Sequence, residues 1–174
     1  MGMHDSGNLG DIFPAGIDPQ KPALIVAHTP ETETVVSYGA LQTQSQAVAR
    51  GLVRAGYGRG DRIAILAANV EDYLATYLGT MLAGCISVPV NWKLPVSALH
   101  HVLEDSDAQM IFADPERLGS IPDGYKVVQF GSEYQAFLDP GLFEPVPMGK
   151  HDVCMFLYTS GSTGNPKGVP LTHA

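Results

Sequence analysis

Residues 62–90, RIAILAANVEDYLATYLGTMLAGCISVPV, carry the pattern that decides the fold. Arg62 to Ala67 is a short apolar run that reads as a strand. Asn69 stands where a side chain can cap a helix, and Tyr73, Tyr77, Leu78 and Met81 recur at helical spacing until Gly84 ends it. Ile86-Ser87-Val88-Pro89-Val90 is a second strand, and Pro89, which has no amide to donate, marks an edge or a strand end. The stretch from Tyr73 to Trp92 contains no charge and is long enough to span a bilayer. Gly79, Gly84, Ser87, Pro89 and Asn91 divide it into helix and strand, so it reads as buried core.

The same alternation extends both ways. Upstream, Ala23–His28 and Thr34–Ser37 form a plausible strand pair, and Ser37 can cap a helix whose apolar side is Leu41, Val48, Leu52 and Val53, stopped by Gly56. Gly58-Arg59-Gly60-Asp61 is a turn into the strand at Arg62. Downstream, Val96–Glu104 is a helix with Val96, Leu99, Val102 and Leu103 inward, followed by a strand at Gln109–Ala113. Between Asp114 and Lys150 the pattern weakens to one strand, Lys126–Phe130, and a linker from Pro140 to Lys150. Strand–helix alternation of this kind predicts an α/β fold with a largely parallel sheet.

The 174 residues are 45 % hydrophobic and 16 % charged, enough for a real core in one compact domain or one lobe of a larger one. The net charge is −8 and no Lys/Arg run exists, which excludes a nucleic-acid surface. Cys85 and Cys154 sit apart in apolar runs and form neither a metal pair nor a Cys-x-x-Cys motif, so they read as small buried hydrophobes in a reducing compartment. Residues 1–13 lack the apolar segment of a signal peptide; Met1–Ser6 fits the myristoylation pattern, which is too loose to carry weight.

Chemistry concentrates at Val153–His173. An apolar run, Val153–Tyr158, reads as a buried strand that delivers the chain into Thr159-Ser160-Gly161-Ser162-Thr163-Gly164-Asn165-Pro166-Lys167-Gly168. Gly161, Gly164 and Gly168 let backbone amides approach an anion, four hydroxyls add donors, and Lys167 adds a compact cation. These are the parts of a polyphosphate cradle. It is not a Walker A loop: Pro166, Gly168 and Pro170 oppose a helix after the lysine, so no helix dipole can assist. Composition alone is equally compatible with a plain Gly/Ser hairpin.

The order of residues separates the two. YTSGSTGNPKGVPLTH, Tyr158 to His173, closely resembles the phosphate-binding signature of the adenylate-forming superfamily, which includes acyl-CoA synthetases, peptide-synthetase adenylation domains and luciferase. Ser37–Leu41, Gly60–Ile65 and Ala83–Asn91 are similar to further motifs of that superfamily in order and spacing. Asn91-Trp92-Lys93-Leu94 and Leu103–Ser106 resemble the acid–CoA ligase branch; peptide-synthetase domains usually carry Asp-Pro where Asn91-Trp92 stand.

The resemblance implies that residues 1–174 are the amino-terminal part of the large AMP-binding domain of a much longer chain. It implies activation of a fatty or aromatic carboxylic acid with ATP and Mg2+ to an acyl adenylate, then thioester formation with CoA. Thr159, Ser160, Gly161, Ser162, Thr163, Gly164 and Lys167 would contact the phosphates, while the catalytic lysine and most of the Mg2+ and CoA contacts would lie beyond Ala174. A cytoplasmic protein without a transmembrane segment is expected, and a homo-oligomer is compatible. Alternatives are another adenylating enzyme, amino-acid-activating or luciferase-like, or a non-catalytic lobe that only binds or assembles.

Other polar residues read as structural. His100 and His101, about 100° apart on a helix, suit a solvated face better than one metal. His151-Asp152 reads as a surface pair, His173 as structural, and Glu104-Asp105-Ser106-Asp107 as an unpaired helix end.

Overall fold

A computed structural model describes residues 7–29, 31–68, 70–159 and 165–173, and of His28 the backbone alone. Pro22–Thr29 (β1) and Thr32–Ser37 (β2) form an antiparallel ribbon separate from the main sheet. Ser37 caps the helix Tyr38–Arg54 (α1) as its sequence position suggested, its hydroxyl accepting the Ala40 amide at 3.2 Å. Gly56, at φ +91°, makes the left-handed turn that stops the helix. Arg62–Leu66 (β3), Glu71–Leu82 (α2), Ile86–Pro89 (β4), Val96–Asp105 (α3) and Met110–Ala113 (β5) follow in the expected alternation. Asn69, the expected cap of α2, lies outside the described residues; Glu71 and Asp72 place acidic charge in the first turn of α2, where the helix dipole favours it.

After β5 come a 3-10 turn at Pro115–Ser120, strand Lys126–Gln129 (β6), helix Ser132–Phe137 (α4), and an irregular segment to Lys150. The hairpin Val153–Thr159 (β7) and Lys167–Thr172 (β8) completes the chain. The 3-10 turn and α4 were not read from the sequence, since neither is long enough to show a period. Packing explains α4: Tyr134 and Phe137 set their rings against Phe112, at centroid distances of 5.9 and 5.2 Å.

The main sheet runs β6-β5-β3-β4-β7-β8, parallel throughout except for the antiparallel edge strand β8. Successive side chains of a strand face opposite ways, and β3 uses both faces fully. Ile63 and Ile65 pack with Val48 and Leu52 of α1 and Leu82 of α2, while Ala64 and Leu66 pack with Leu99, Val102 and Leu103 of α3. The steps β3→β4 and β4→β5 move in opposite directions across the sheet. Right-handed crossovers therefore put α2 and α3 on opposite faces. Among the described residues, no helix is long and apolar enough to cross a membrane.

Val53, Val96 and the burial of β7 differ from expectation, and Pro89 meets one of its two alternatives. Val53 and Val96 are 48 % and 52 % exposed, because the buried seam of α1 runs through Leu41, Ser45, Val48 and Leu52, and Val96 is the first residue of α3. Pro89 does end its strand, but β4 is interior; the proline on an edge strand is Pro170 in β8. β7 fully buries only Cys154 among its residues, and Leu157 stays 39 % exposed. On β8, Val169 and Leu171 are 42 % and 36 % exposed on the same face as Leu157.

α1 and α2 approach closely at Gly79, where an added Cβ would stand 2.5 Å from the Ser45 carbonyl oxygen and 2.6 Å from Val48 Cβ. Helix propensity favours Gly79→Ala by about 1 kcal/mol, whereas overpacking costs about 1–3 kcal/mol. The obstacle here is backbone, which cannot rotate aside, so Gly79→Ala is expected to lose about 1 kcal/mol in urea denaturation. A more stable variant would contradict this packing.

Candidate functional site

β7 pairs in parallel with β4, Ser87 opposite Met155, so β7 points Thr159 to the edge of the sheet where β3, β4 and β5 also end. There the chain reverses, and Thr159 and Lys167 become direct cross-strand partners, both exposed. Of the expected phosphate contacts, this brings together Thr159 and Lys167; Ser160, Gly161, Ser162, Thr163 and Gly164 lie outside the described residues. Lys167 opens a strand, as Pro166 and Pro170 foretold, so no helix dipole stands behind it. A hydroxyl and an ammonium at one hairpin mouth can meet an anion directly.

Gly168 also makes room for a ring. It lies inside β8 opposite Tyr158, and an added Cβ would meet the Tyr158 Cζ and hydroxyl oxygen at 3.0 Å. The phenol crosses the hairpin over this glycine and donates to Asp105 Oδ2 of α3 at 2.7 Å. Burial, and then the bond to Asp105, push the Tyr158 phenol up, so it keeps its proton and donates it to that bond.

The histidine pair is not simply solvated. His101 Nε2 lies 3.1 Å from the Pro166 carbonyl and His100 Nε2 3.0 Å from the Ser120 carbonyl, so each ring is half-buried with its own acceptor. Their divergence, legible in the sequence, sends them to different partners. Nor is the acidic cluster unpaired: Asp105 takes Tyr158 and Asp107 pairs with Arg62.

Between the carboxyl ends of β3 and β4, where the chain leaves toward opposite faces, Ala67, Tyr73, Pro89, Val90, Asn91 and Trp92 line a cleft of about 280 Å³. Open α/β sheets bind ligands at such reversals. The Trp92 ring carries the Arg117 guanidinium at 4.2 Å and the Lys93 ammonium at 5.2 Å. Arg117 gave no sequence signal, because it lies in the stretch without periodicity. Among the described residues, no three His, Cys, Asp or Glu side chains gather as metal ligands.

The family model of the AMP-binding enzyme matches residues 15–174. The chain belongs to the AMP-binding enzyme family. Among its relatives, feruloyl-CoA synthase of Amycolatopsis sp is 39 % identical over 145 residues, covering 80 % of this chain and 29 % of that one. ScoC of Streptomyces coeruleorubidus, a fatty acid–[acyl-carrier-protein] ligase, is 34 % identical over 173 residues, covering 92 % and 32 %. Apo MatB from Rhodopseudomonas palustris superposes with a TM-score of 0.83 at 28 % identity, covering 97 % and 35 %. The chain therefore spans about a third of the length of these relatives.

In this family member the remaining candidates are structural. His173 is 1 % exposed; its Nδ1 accepts the Leu9 amide at 2.9 Å and its own amide donates to the Asp152 carbonyl at 3.1 Å. Asn8 continues the tie, donating to the Met81 and Val146 carbonyls at 2.8 and 2.9 Å. Asp152 pairs with Arg59 at 2.9 Å, in place of a surface pair with His151. Cys85 and Cys154 are free and buried, and burial pushes the Cys85 thiol up to about 12, which makes it inert.

Burial holds His173 below its ordinary range, Asp152 opposing and Arg59 adding to that effect. The folded state therefore binds the His173 proton more weakly than the unfolded chain, whose imidazole titrates near ~6.5. The stabilisation is complete above that value and is lost as pH falls through the folded pKa. Thermal melts from pH 7.5 down to 5 should fall more steeply for the unaltered chain than for His173→Gln; equal slopes would remove His173 from this role.

Proposed function

We propose that this chain is the amino-terminal part of the large domain of an acid–CoA ligase that activates a fatty or aromatic carboxylic acid with ATP. The observation that carries the reading is the hairpin mouth, with Lys167 directly across from Thr159 inside a sixteen-residue signature that resembles the family's phosphate loop. In the first step a carboxylate oxygen bonds to the α-phosphorus and the bond to pyrophosphate breaks. Negative charge grows on the β- and γ-phosphates, and the ammonium of Lys167 with the loop donors would stabilise it there. The thiol of CoA then displaces AMP from the acyl adenylate. Mg2+ would accompany the ATP.

Relatives support the substrate classes: one is named for feruloyl-CoA, an aromatic acid thioester, and another for fatty acids. The half-exposed apolar side chains Leu157, Val169 and Leu171 support a continuation of the large domain over that face. Two buried free thiols fit a reducing cytoplasm. A second reading has one specific support: ScoC, 34 % identical, transfers to an acyl-carrier protein, so the thiol acceptor of the full-length protein could be a carrier's phosphopantetheine in place of CoA.

ATP–pyrophosphate exchange by the full-length protein over a panel of fatty and aromatic acids tests the first step, and thioester assays with CoA and with a carrier protein separate the two acceptors. Lys167→Ala should slow exchange by about 10²–10³-fold, the usual cost of one transition-state donor. Unchanged exchange would remove Lys167 from the phosphates. Residues 1–174 alone should show no exchange; measurable turnover by them would contradict the division of the domain proposed here.

A further inference from the structure

We propose that α3 is the positioning element of the phosphate hairpin: His101 and Asp105 grip its two stems and so set where Lys167 stands against Thr159. This rests on the adenylation reading for its functional consequence, but not for its geometry.

His101 and Asp105 are four residues apart in α3 and share one face of the helix. Their partners flank the Thr159–Lys167 pair, Tyr158 on its strand side in β7 and Pro166 on its turn side just before β8. Tyr158, held by Asp105 at 2.7 Å, immediately precedes Thr159; Pro166, whose carbonyl lies 3.1 Å from His101 Nε2, immediately precedes Lys167. A carbonyl can only accept, so His101 carries its proton on Nε2. Pro166 is buried, and Gly168 leaves the space through which the Tyr158 ring reaches across. A side chain at 168 would have to push the phenol off Asp105.

The helix is itself a firm base. Leu99, Val102 and Leu103 are at most 2 % exposed and pack on the sheet. Sites held by rigid elements keep their geometry better than sites held by loops alone. Since about 1 Å of misplacement can cost about 100-fold in rate, two bonds that fix both stems can govern catalysis without touching substrate. His101, Asp105, Tyr158 and Gly168 are in this sense positioning residues.

Hydrogen–deuterium exchange on the 174-residue chain tests the geometry without any nucleotide. His101→Ala and Asp105→Ala should each speed exchange of the β7 and β8 amides next to the turn about tenfold or more, with α1 and α2 amides unchanged. Asp105→Asn, which keeps an acceptor, should restore protection, as should His101→Gln, which keeps a donor. In the full-length protein the alanine variants should slow ATP–pyrophosphate exchange about ten- to a hundredfold. Thioester formation from a pre-made acyl adenylate should not change. Unaltered hairpin exchange, loosening of the whole chain, or failure of both conservative variants to restore protection would overturn the proposal. If the hairpin loosens as expected while the unaltered full-length protein shows no pyrophosphate exchange with any acid, the adenylation reading fails and the positioning of the stems stands.

Discussion

The complete burial of β3 on both faces is the constraint on which the rest depends. Ile63, Ala64, Ile65 and Leu66 are each fully inaccessible, so each face must be covered by helix. With one hand of crossover available, covering both faces requires the winding to reverse, first to β4 with α2 on one side, then back to β5 with α3 on the other. The reversal leaves a crevice at the carboxyl ends of β3 and β4. It also brings α3 to the face toward which Phe156 and Tyr158 of β7 point. The sheet edge proposed to hold the phosphates thus follows from how one strand is buried.

The hairpin β7–β8 is where the proposed chemistry would meet this scaffold. Its attachment to the parallel sheet is narrow, through Ser87 and Met155, and β8 is an edge strand. Such a hairpin needs support from outside the sheet. α3 supplies it at the mouth through Tyr158 and Pro166, and at the far end His173 ties the strand to Leu9. Several residues of the signature therefore serve its placement: Tyr158, Pro166, Gly168 and His173 fix the hairpin, and Lys167 is left exposed at its mouth.

Much of this was legible in the sequence because the signals were local. The strands at Arg62, Ile86 and Met110 are short apolar runs, Ser37 and Gly56 announce the ends of α1, and Pro166 with Pro170 forbids a helix after the loop. The order of residues from Tyr158 to His173 carried the family. What was not legible depends on contacts between distant segments. α4 exists because Tyr134 and Phe137 fill an aromatic cluster with Phe112, and six residues cannot display a helical period. Asp105 and Tyr158, His101 and Pro166, and Arg117 and Trp92 are pairs whose members give no sign of one another in the sequence until the sheet order sets them side by side. The same holds for Gly168, whose spacing looks like loop flexibility but whose value is room for a ring.

The central claim is that the exposed mouth of this hairpin holds the polyphosphate of ATP. A crystal structure of the full-length protein with a non-hydrolysable ATP analogue tests it most directly. The account predicts the β- and γ-phosphates within hydrogen-bond distance of the Lys167 ammonium and of the turn between Thr159 and Lys167, with Tyr158 still bonded to Asp105. Phosphates seated elsewhere, with Lys167 facing solvent, would contradict it.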